Sequence, residues 1–298
     1  RSRIGDQVVQ FPWVVGHETA GIVDETGACV QTLKKGDRIA LDPSIPCGKC
    51  DQCDAGRFHT CRNLRFLGCP GQIEGCLSEY IVMPESSCYP IPDSLTFEDG
   101  VLTEPLSIGM YAVHLSGIQE GQTAAVFGLG PIGLSVTLGT AKTDAQVRCG
   151  IDPLQYRRAA AESGCGIRTC SPDMLNNMLA GGLEDVEDVD VVFECCGEQQ
   201  AVDQAIRLCR PGGTIMIVRI PEFDRYSFAA HTARRKELSI RNVRRQNEFV
   251  RPALDAVADG SIQPGFMATH HFSLQEVQYA FDLVDAYRDG VIKAIIHI

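Results

Sequence analysis

The stretch TAAVFGLGPIGL, residues 123–134, decides how this chain is expected to fold. An apolar strand runs into Gly128, Gly130 and Gly133 with G-x-G-x-x-G spacing, and an apolar helical stretch follows. The first glycine permits a tight turn, the second lets the backbone approach a pyrophosphate, and the third lets the helix pack on the strand. The motif predicts a dinucleotide-binding loop. A tight strand–helix turn without a ligand is the alternative.

The next apolar strand supplies the acid that such a loop needs. QVRCGID ends at Asp152, nineteen residues after Gly133, where a carboxylate is expected to meet the ribose 2′-hydroxyl and favour NAD over NADP. Arg157 follows five residues later and could instead meet a 2′-phosphate. We therefore expect NAD, with NADP the less favoured nucleotide.

Strands and helices continue to alternate after this motif. VDVVFECCG (189–197), TIMIVRI and LSIRNV have the apolar runs of strands in a covered parallel sheet, and EQQAVDQAIRLCRPGG has helical spacing. We place a nucleotide-binding domain at 107–246. The segment 1–106 is rich in β patterns and glycine, and 247–298 contains two amphipathic stretches, 248–260 and 273–287, before a final strand, IKAIIHI.

A cysteine cluster lies in the first of these segments. Cys47, Cys50, Cys53 and Cys61 have C-x2-C-x2-C-x7-C spacing. Four thiolates suit tetrahedral zinc, and such a closed shell leaves no position for a substrate, so we expect a structural zinc. An iron–sulfur site or coincidental thiols are the alternatives. The other ten cysteines are scattered, mostly in apolar runs, and are expected to be small buried hydrophobic residues.

Composition limits the classes of partner. The chain has 298 residues, 44% of them hydrophobic and 22% charged, and a net charge of -11. The negative charge argues against nucleic acid or an anionic membrane as the main partner. No apolar run is long enough to span a bilayer. Because a disulfide framework is not expected in a chain of this length, we expect a cytoplasmic protein.

In this order, the motifs resemble those of the zinc-dependent medium-chain alcohol dehydrogenases. GHETAGIV, KKGDRIALDP, the cysteine cluster, LTEPLSIGMYAV, VFGLGPIGL and the C-terminal segment carry the resemblance over essentially the whole chain. RIGDQVVQFPWVVGHE and the Glu-Pro of LTEPLSIG are most similar to the polyol branch, which includes sorbitol, xylitol and arabinitol dehydrogenases.

The resemblance implies an α/β chain with two domains. A Rossmann domain with a doubly wound parallel sheet (107–246) would stand beside a GroES-like β-barrel catalytic domain, formed by 1–106 and completed by 247–298, with the structural zinc lobe at 47–61. The cleft between the domains would hold NAD(H), a catalytic zinc and the alcohol. A homodimer or homotetramer is expected.

The resemblance also assigns the catalytic residues. His17 and Glu18 match the Gly-His-Glu that carries two zinc positions, and Glu104 matches a carboxylate that reaches the metal directly or through its water. Taken alone, a His beside a Glu is more often structural. Hydride transfer from a secondary alcohol needs a Lewis acid on the oxygen, which such a metal supplies.

Further assignments follow from the same resemblance. Arg244 matches an arginine that contacts substrate hydroxyls, with a surface base as the alternative, and Lys293 matches a base near the cofactor phosphates, with an edge-strand lysine as the alternative. Arg245 stands where an aromatic residue is usual, so the substrate pocket is expected to differ. The cofactor is expected to contact Gly128, Gly130, Pro131, Ile132, Gly133, Asp152, Arg157, Val218, Val243 and Lys293.

One expected ligand lies upstream of this sequence. The family has a cysteine ligand, followed by a Ser or Thr of the proton relay, before the stretch that begins here at Arg1. We therefore expect the working protein to be longer.

These features predict a zinc-dependent oxidoreductase that transfers a hydride from a secondary alcohol or polyol to NAD. A threonine-type or simple secondary-alcohol dehydrogenase is one alternative. A non-catalytic NAD-binding protein on the same scaffold is the other.

Overall fold

A computed structural model describes residues 3–4, 7–181, 188–221 and 223–298 of the chain. The chain divides into two compact units. The first unit contains Arg1–Ser107 and Arg245–Ile298, and the second is Ile108–Arg244.

The strands are short in the first unit and longer in the second. In chain order they are β1 (Arg3–Ile4), β2 (Gln7–Val8), β3 (Ala20–Ile22), β4 (Arg38–Leu41), β5 (Ser44–Ile45), β6 (Arg65–Phe66), β7 (Cys88–Pro90), β8 (Thr123–Phe127), β9 (Gln146–Ile151), β10 (Thr169–Cys170), β11 (Val189–Glu194), β12 (Cys209–Ile217), β13 (Ser239–Asn242), β14 (Ala268–Ser273) and β15 (Lys293–His297).

The helices, numbered in the same way, are α1 (Asp51–Asp54), α2 (Phe97–Ser116), α3 (Pro131–Ala141), α4 (Gln155–Cys165), α5 (Pro172–Gly181), α6 (Gln199–Leu208), α7 (Ala230–Arg235), α8 (Val250–Ala258) and α9 (Val277–Asp285). Within the described ranges, none of them is long and apolar enough to cross a membrane.

The second unit is built on one parallel sheet. Among the residues that the structure describes, six strands form it in the order β10-β9-β8-β11-β12-β13. The chain adds strands in one direction from β8 and then in the other from β11, so the order reverses between these two neighbours. Ligands of such sheets bind outside the carboxyl ends of the strands at this reversal. The predicted doubly wound sheet is therefore confirmed.

Burial explains why the central strands read as continuous apolar runs. Every residue of β8 is buried, and β11 is buried except at Asp190. The core of this unit includes Phe127, Ile151 and Val192 from the sheet and Leu175 and Ile206 from helices packed on it. Strands covered on both faces have no solvent-facing side for polar residues. Their sequences therefore do not alternate between apolar and polar residues.

The first unit consists of small sheets joined by long loops. The strands β3, β4 and β7 pair antiparallel, as do β5 and β6, and β1 and β2. The two C-terminal strands, β14 and β15, pair in parallel, as allowed by the intervening helix α9. The predicted final strand and both amphipathic helices are present, as β15, α8 and α9.

Some elements did not follow from the sequence pattern. The helix α2 has twenty residues although Pro105 lies inside it, where the missing N–H leaves the Val101 carbonyl without its helical partner. The strand β10 and the helix α5 were not expected from the sequence either.

Truncating Phe193 should measure how far the sheet stabilises the second unit. Its side chain is 0% exposed on β11, so Phe193→Ala is expected to lower the free energy of unfolding by about 3–5 kcal/mol through lost burial and a cavity. Urea titration followed by circular dichroism measures this. Phe228→Ala, at a residue 50% exposed, is the matched control and should leave the midpoint nearly unchanged. Equal midpoints for the two variants would contradict the assignment of the core.

Candidate functional site

The four clustered cysteines come together as a zinc-sized group of sulfurs. The Sγ atoms of Cys47, Cys50, Cys53 and Cys61 lie within 4.8 Å of one another, with Cys50 3.6 Å from Cys53 and 3.9 Å from Cys61. All four are free thiols. Sulfurs placed tetrahedrally at ~2.3 Å from one zinc ion would lie about 3.8 Å apart, so the group fits zinc.

Backbone N–H groups lower the thiol pKa of two of the four cysteines. Backbone N–H groups of Arg62 and Cys53 lower the pKa of the Cys50 thiol, and the N–H of Lys49 lowers the pKa of Cys47. A lowered thiol pKa favours the thiolate, which is the form that binds zinc. An ion pair closes the lobe, since Arg62 Nη2 donates to Asp51 Oδ2 at 2.7 Å.

A second group of ligand types brings together distant segments. One ligand atom each of His17, Glu18 and Glu104 lies within 4.8 Å of the others. Glu104 projects from α2 and is only 4% exposed. Its Oε2 atom is buried and has no hydrogen-bond partner in the part of the chain that the structure describes. A buried carboxylate oxygen without a donor is a suitable ligand for a cation, so the three residues fit a metal site.

The charge states of this cluster also suit a cation. Burial, together with the charges of Lys293 and Arg245, lowers the pKa of His17 to about 4, which keeps the imidazole neutral and able to donate a lone pair. Burial and the nearby Asp42 charge raise the pKa of Glu104 to about 8. A cation at this position would favour the ionised carboxylate and offset its loss of hydration.

Lys293 contacts one member of the cluster directly. Its ammonium forms an ion pair with Glu18 Oε2, and its side chain is 13% exposed. Burial lowers the pKa of Lys293 to about 8, so the ammonium remains charged at neutral pH. The predicted contact of Lys293 with cofactor phosphates stays a prediction.

Three close-packed glycines hold the loop that carries His17. Gly16 has φ of +98°, and a Cβ atom on Gly75 would lie 2.2 Å from the Val15 carbonyl oxygen. A Cβ atom on Gly68 would lie 2.5 Å from the Gly16 oxygen. Such contacts are possible only for glycine, which lets two backbones approach closely. The roles of Gly68 and Gly75 were not expected from the sequence, because nothing near them in the chain shows which backbone segment they contact.

The two neighbouring arginines fall in different units. Arg244, the predicted substrate contact, is exposed and ends the second unit. Arg245 begins the returning segment of the first unit, and its guanidinium lies over the Phe66 ring, which also contacts His17. The role of Arg244 stays a prediction, whereas Arg245 lies near the candidate metal ligand His17.

The glycine-rich loop has the geometry expected of it. Gly128 has φ of +84°, and its N–H donates to the Ile151 carbonyl at 2.7 Å. A Cβ atom on Gly133 would lie 1.7 Å from the Gly128 oxygen, so only glycine fits there. Gly130 is the N-cap of α3, Pro131 opens the first turn, and Ile132 follows. The free N–H groups of a helix start and its dipole favour a phosphate at this end.

Asp152 ties this loop to the end of β9. Its Oδ2 accepts the N–H of Leu129 and its Oδ1 accepts the N–H of Leu154, both at 2.8 Å. It is 2% exposed, and Arg157 Nη1 lies 3.8 Å from Oδ2. The carboxylate thus shapes the loop itself, which sequence spacing did not show.

Two valines follow the ends of the adjoining strands. The N–H of Val218 donates to the Glu194 carbonyl at 2.8 Å, and the N–H of Val243 donates to Ile217 at 2.8 Å. Both residues therefore stand at the carboxyl edge of the sheet, on the same edge as the glycine-rich loop. Their contact with a nucleotide stays a prediction.

Two protein-family models match the chain. The model described as the alcohol dehydrogenase GroES-like domain matches residues 2–93, and the model described as zinc-binding dehydrogenase matches residues 131–259. The first match confirms the predicted GroES-like domain in the N-terminal part of the chain.

Two curated relatives and one solved structure are similar to most of the chain. A sorbitol dehydrogenase of Bacillus subtilis (strain 168) is 29% identical over 99% of this chain and 84% of its own length. A probable D-xylulose reductase A of Arthroderma otae is 32% identical over 95% of this chain and 81% of its own. The crystal structure of a putative zinc-binding dehydrogenase from Sinorhizobium meliloti 1021, bound to NADP, is 32% identical with a TM-score of 0.88, covering 97% of this chain and 85% of that one.

Removal of one cysteine sulfur tests the structural zinc. Cys53→Ser is expected to lose about one zinc per chain and to lower the urea midpoint, because a three-sulfur shell binds zinc less tightly. Elemental analysis of the purified protein measures the zinc. Cys29→Ser, at an exposed free thiol outside the cluster, should keep the full content. Equal zinc contents in the two variants would show that these sulfurs do not hold the metal.

The glycine contacts predict a second effect on metal content. In Gly75→Ala the new Cβ atom would displace Val15 and with it His17, so zinc affinity at the His17 cluster should fall about 10- to 100-fold. Competition with a chelator measures the affinity, while the zinc of the cysteine lobe stays bound. Gly27→Ala, where a Cβ atom meets nothing within 4 Å, is the control. Unchanged affinity in Gly75→Ala would mean that this contact does not position His17.

Proposed function

Because this chain belongs to the zinc-binding alcohol dehydrogenase family, a family of oxidoreductases, we propose that it transfers a hydride from a secondary alcohol of a polyol to NAD. The observation that carries the proposal is the group of His17, Glu18 and Glu104, in which the buried Oε2 of Glu104 has no hydrogen-bond donor within the described part of the chain. Relatives named sorbitol dehydrogenase and D-xylulose reductase support a polyol as the substrate.

The three side chains would hold the catalytic zinc. When bound, zinc supplies a Lewis acid that lowers the pKa of the substrate hydroxyl, so that its proton can leave near neutral pH. His17 provides a neutral imidazole nitrogen, since the pKa of that ring lies at about 4. Glu18 and Glu104 provide negative charge, which neutralises the cation.

Glu104 must lose a proton before it can bind a metal. Burial raises its pKa to about 8, so in the absence of a cation this carboxyl holds a proton at neutral pH. Loading the site would release that proton and leave a carboxylate directed at the metal, or at a water molecule next to it. Because Glu104 Oε2 is buried without a donor among the described residues, that oxygen has no competing hydrogen bond to lose.

The second unit would bind the nucleotide. The pyrophosphate would lie over Gly128, Gly130 and the start of α3, where the free N–H groups point. Asp152 supports NAD, because a buried carboxylate at the end of β9 repels a 2′-phosphate. Arg157, 3.8 Å from it, offsets part of that repulsion, and one relative's structure holds NADP. We propose NAD as the preferred nucleotide and NADP as a weaker one.

The cysteines and an exposed edge strand bear on the cell compartment and the oligomeric state. The described cysteines are free thiols, which supports a reducing compartment, and we propose the cytoplasm. All four residues of the edge strand β13 are exposed, which supports a homodimer or homotetramer that covers it.

The ion pair of Lys293 with Glu18 favours a second candidate function, that of a non-catalytic NAD-binding protein. Because Lys293 pairs with Glu18, a metal must compete with an ammonium for that carboxylate. If the metal does not displace the Lys293 ammonium from Glu18, the chain binds NAD but has no dehydrogenase activity.

An activity screen tests these alternatives. Sorbitol, xylitol and arabinitol, with threonine and 2-propanol for comparison, are offered with NAD and with NADP. We expect oxidation of a polyol, at least about tenfold higher kcat/KM with NAD, and loss of activity with a chelator. A protein that binds NADH, holds zinc only in the cysteine lobe and oxidises no alcohol would establish the non-catalytic alternative.

Glu104→Gln tests the metal role within the enzyme. The substitution keeps the shape but removes the charge, and it is expected to lower kcat/KM about 10- to 100-fold. Glu74→Gln changes an exposed carboxylate of the same unit and should leave kcat/KM unchanged. Unchanged turnover in Glu104→Gln would show that the assigned role is wrong.

A further inference from the structure

Two histidines come together on the pair of C-terminal strands. In the parallel register of β14 and β15, His271 lies opposite Ile295, and Ser273 lies opposite His297. His297 is therefore two positions along β15 from the residue opposite His271, and residues two apart point to the same face of a strand. Both histidines are exposed, and both strands belong to the first unit.

The two rings approach each other through nitrogen atoms. His271 Nδ1 lies 3.1 Å from His297 Nε2, and the ring planes are inclined by 21°. Two nitrogens bound at ~2.0–2.1 Å to one zinc or similar ion lie about 2.8–3.4 Å apart, for bond angles between octahedral and tetrahedral. The observed separation therefore falls in the range that one metal ion requires.

Small rotations of the rings would let them share an ion. As they stand, the two nitrogens are close enough for one N–H to bridge them. A metal ion needs both lone pairs to converge on a point beside the line between the nitrogens. The χ2 torsion of histidine is broad, so exposed rings can turn toward such a point at little cost. Because both residues are exposed, water can complete the coordination shell.

A carboxylate lies at the other nitrogen of His271. Glu98, in the first turn of α2, has its Oε2 3.7 Å from His271 Nε2. Histidines that bind metal usually direct their second ring N–H toward a carboxylate, which fixes the tautomer and the orientation of the ring. The charge of Glu98 favours a proton on Nε2, which leaves the lone pair on Nδ1, the atom that faces His297. Glu98 thus favours the tautomer of His271 that binds metal.

The neighbouring His270 has different partners. Its Nδ1 lies 2.9 Å from Thr269 Oγ1 and its Nε2 lies 3.4 Å from Asp289 Oδ2. It also stands on the opposite face of β14 from His271. Among the described residues, the groups of three or more potential ligands are the cysteine lobe and the His17 cluster. The histidine pair would therefore supply two ligands and leave the other positions to water.

We infer that His271 and His297 together bind one divalent transition-metal ion of the class that prefers imidazole, which includes Zn²⁺, Ni²⁺ and Cu²⁺. The ion joins β14 to β15 through their side chains, in addition to the backbone pairing of the two strands. The inference does not depend on the proposed function, because neither histidine belongs to the His17 cluster or to the cysteine lobe.

Nickel binding tests the histidine pair. Ni²⁺ is the probe, because elemental analysis distinguishes it from zinc already in the protein. The untagged, zinc-loaded protein is titrated with nickel chloride by calorimetry, and bound nickel and zinc are both counted after equilibrium dialysis, so that nickel replacing zinc is recognised. We expect about one added nickel ion per chain. His271→Gln and His297→Gln should each weaken its affinity at least about tenfold, because each removes one of two protein ligands.

Two further variants serve as a control and as a test of the carboxylate. His231→Gln removes an exposed histidine of α7 and should leave the nickel affinity unchanged. Glu98→Gln removes the charge next to His271 Nε2 and should weaken nickel binding about two- to fivefold, the size expected of a partly exposed charge contact. Asp93→Asn, at an exposed carboxylate of the same unit, should have no effect.

Two results would overturn the inference. If the parent protein takes up no nickel beyond what replaces zinc, or if the variants at His271 and His297 bind nickel as tightly as the parent, the two rings form only a hydrogen bond. Circular dichroism verifies that each variant is folded, which is expected because both side chains are exposed. If one of the two variants does not fold, the other decides the outcome.

Discussion

Burial of charge around His17, Glu18 and Glu104 is the constraint on which the functional part of this structure depends. Moving a carboxylate out of water costs several kcal/mol unless an opposite charge or a hydrogen bond compensates it. Lys293 compensates Glu18, but Glu104 Oε2 has no donor among the residues that the structure describes. The fold itself therefore makes this group suitable for a cation, independently of the relatives that suggest zinc. The same constraint explains why an arginine is tolerated next to the cluster.

Both candidate sites are held in place by close backbone contacts at glycine residues. In the first unit, Gly75 packs against the Val15 carbonyl and places the His17 loop. In the second unit, Gly133 packs against the Gly128 oxygen and places the start of α3 at the sheet edge. In each case a side chain would push the backbone away, and the functional atoms would move with it. The two units thus use one physical device for two different ligands.

Much of the fold and part of the site could be read before the structure. Apolar runs identified β8, β11 and β12, because a strand covered on both faces needs such residues throughout. The cysteine spacing indicated the zinc lobe, since its ligands are close in the chain and a short loop brings them together. The helix α2 was not anticipated, because Pro105 interrupts the helical pattern although the rest of the helix is held by tertiary packing.

By itself, the sequence determined the features whose parts are neighbours along the chain: the glycine-rich loop, the alternation of strands and helices, and the four-cysteine lobe. Only the tertiary structure decided which distant groups meet. Lys293 reaches Glu18 from the other end of the chain, and Arg245 reaches Phe66 from the segment that returns to the first unit. Residue spacing reports only on residues that share one element or one turn. Contacts between distant segments depend on the path of the whole chain, which brings these charges into one poorly hydrated site.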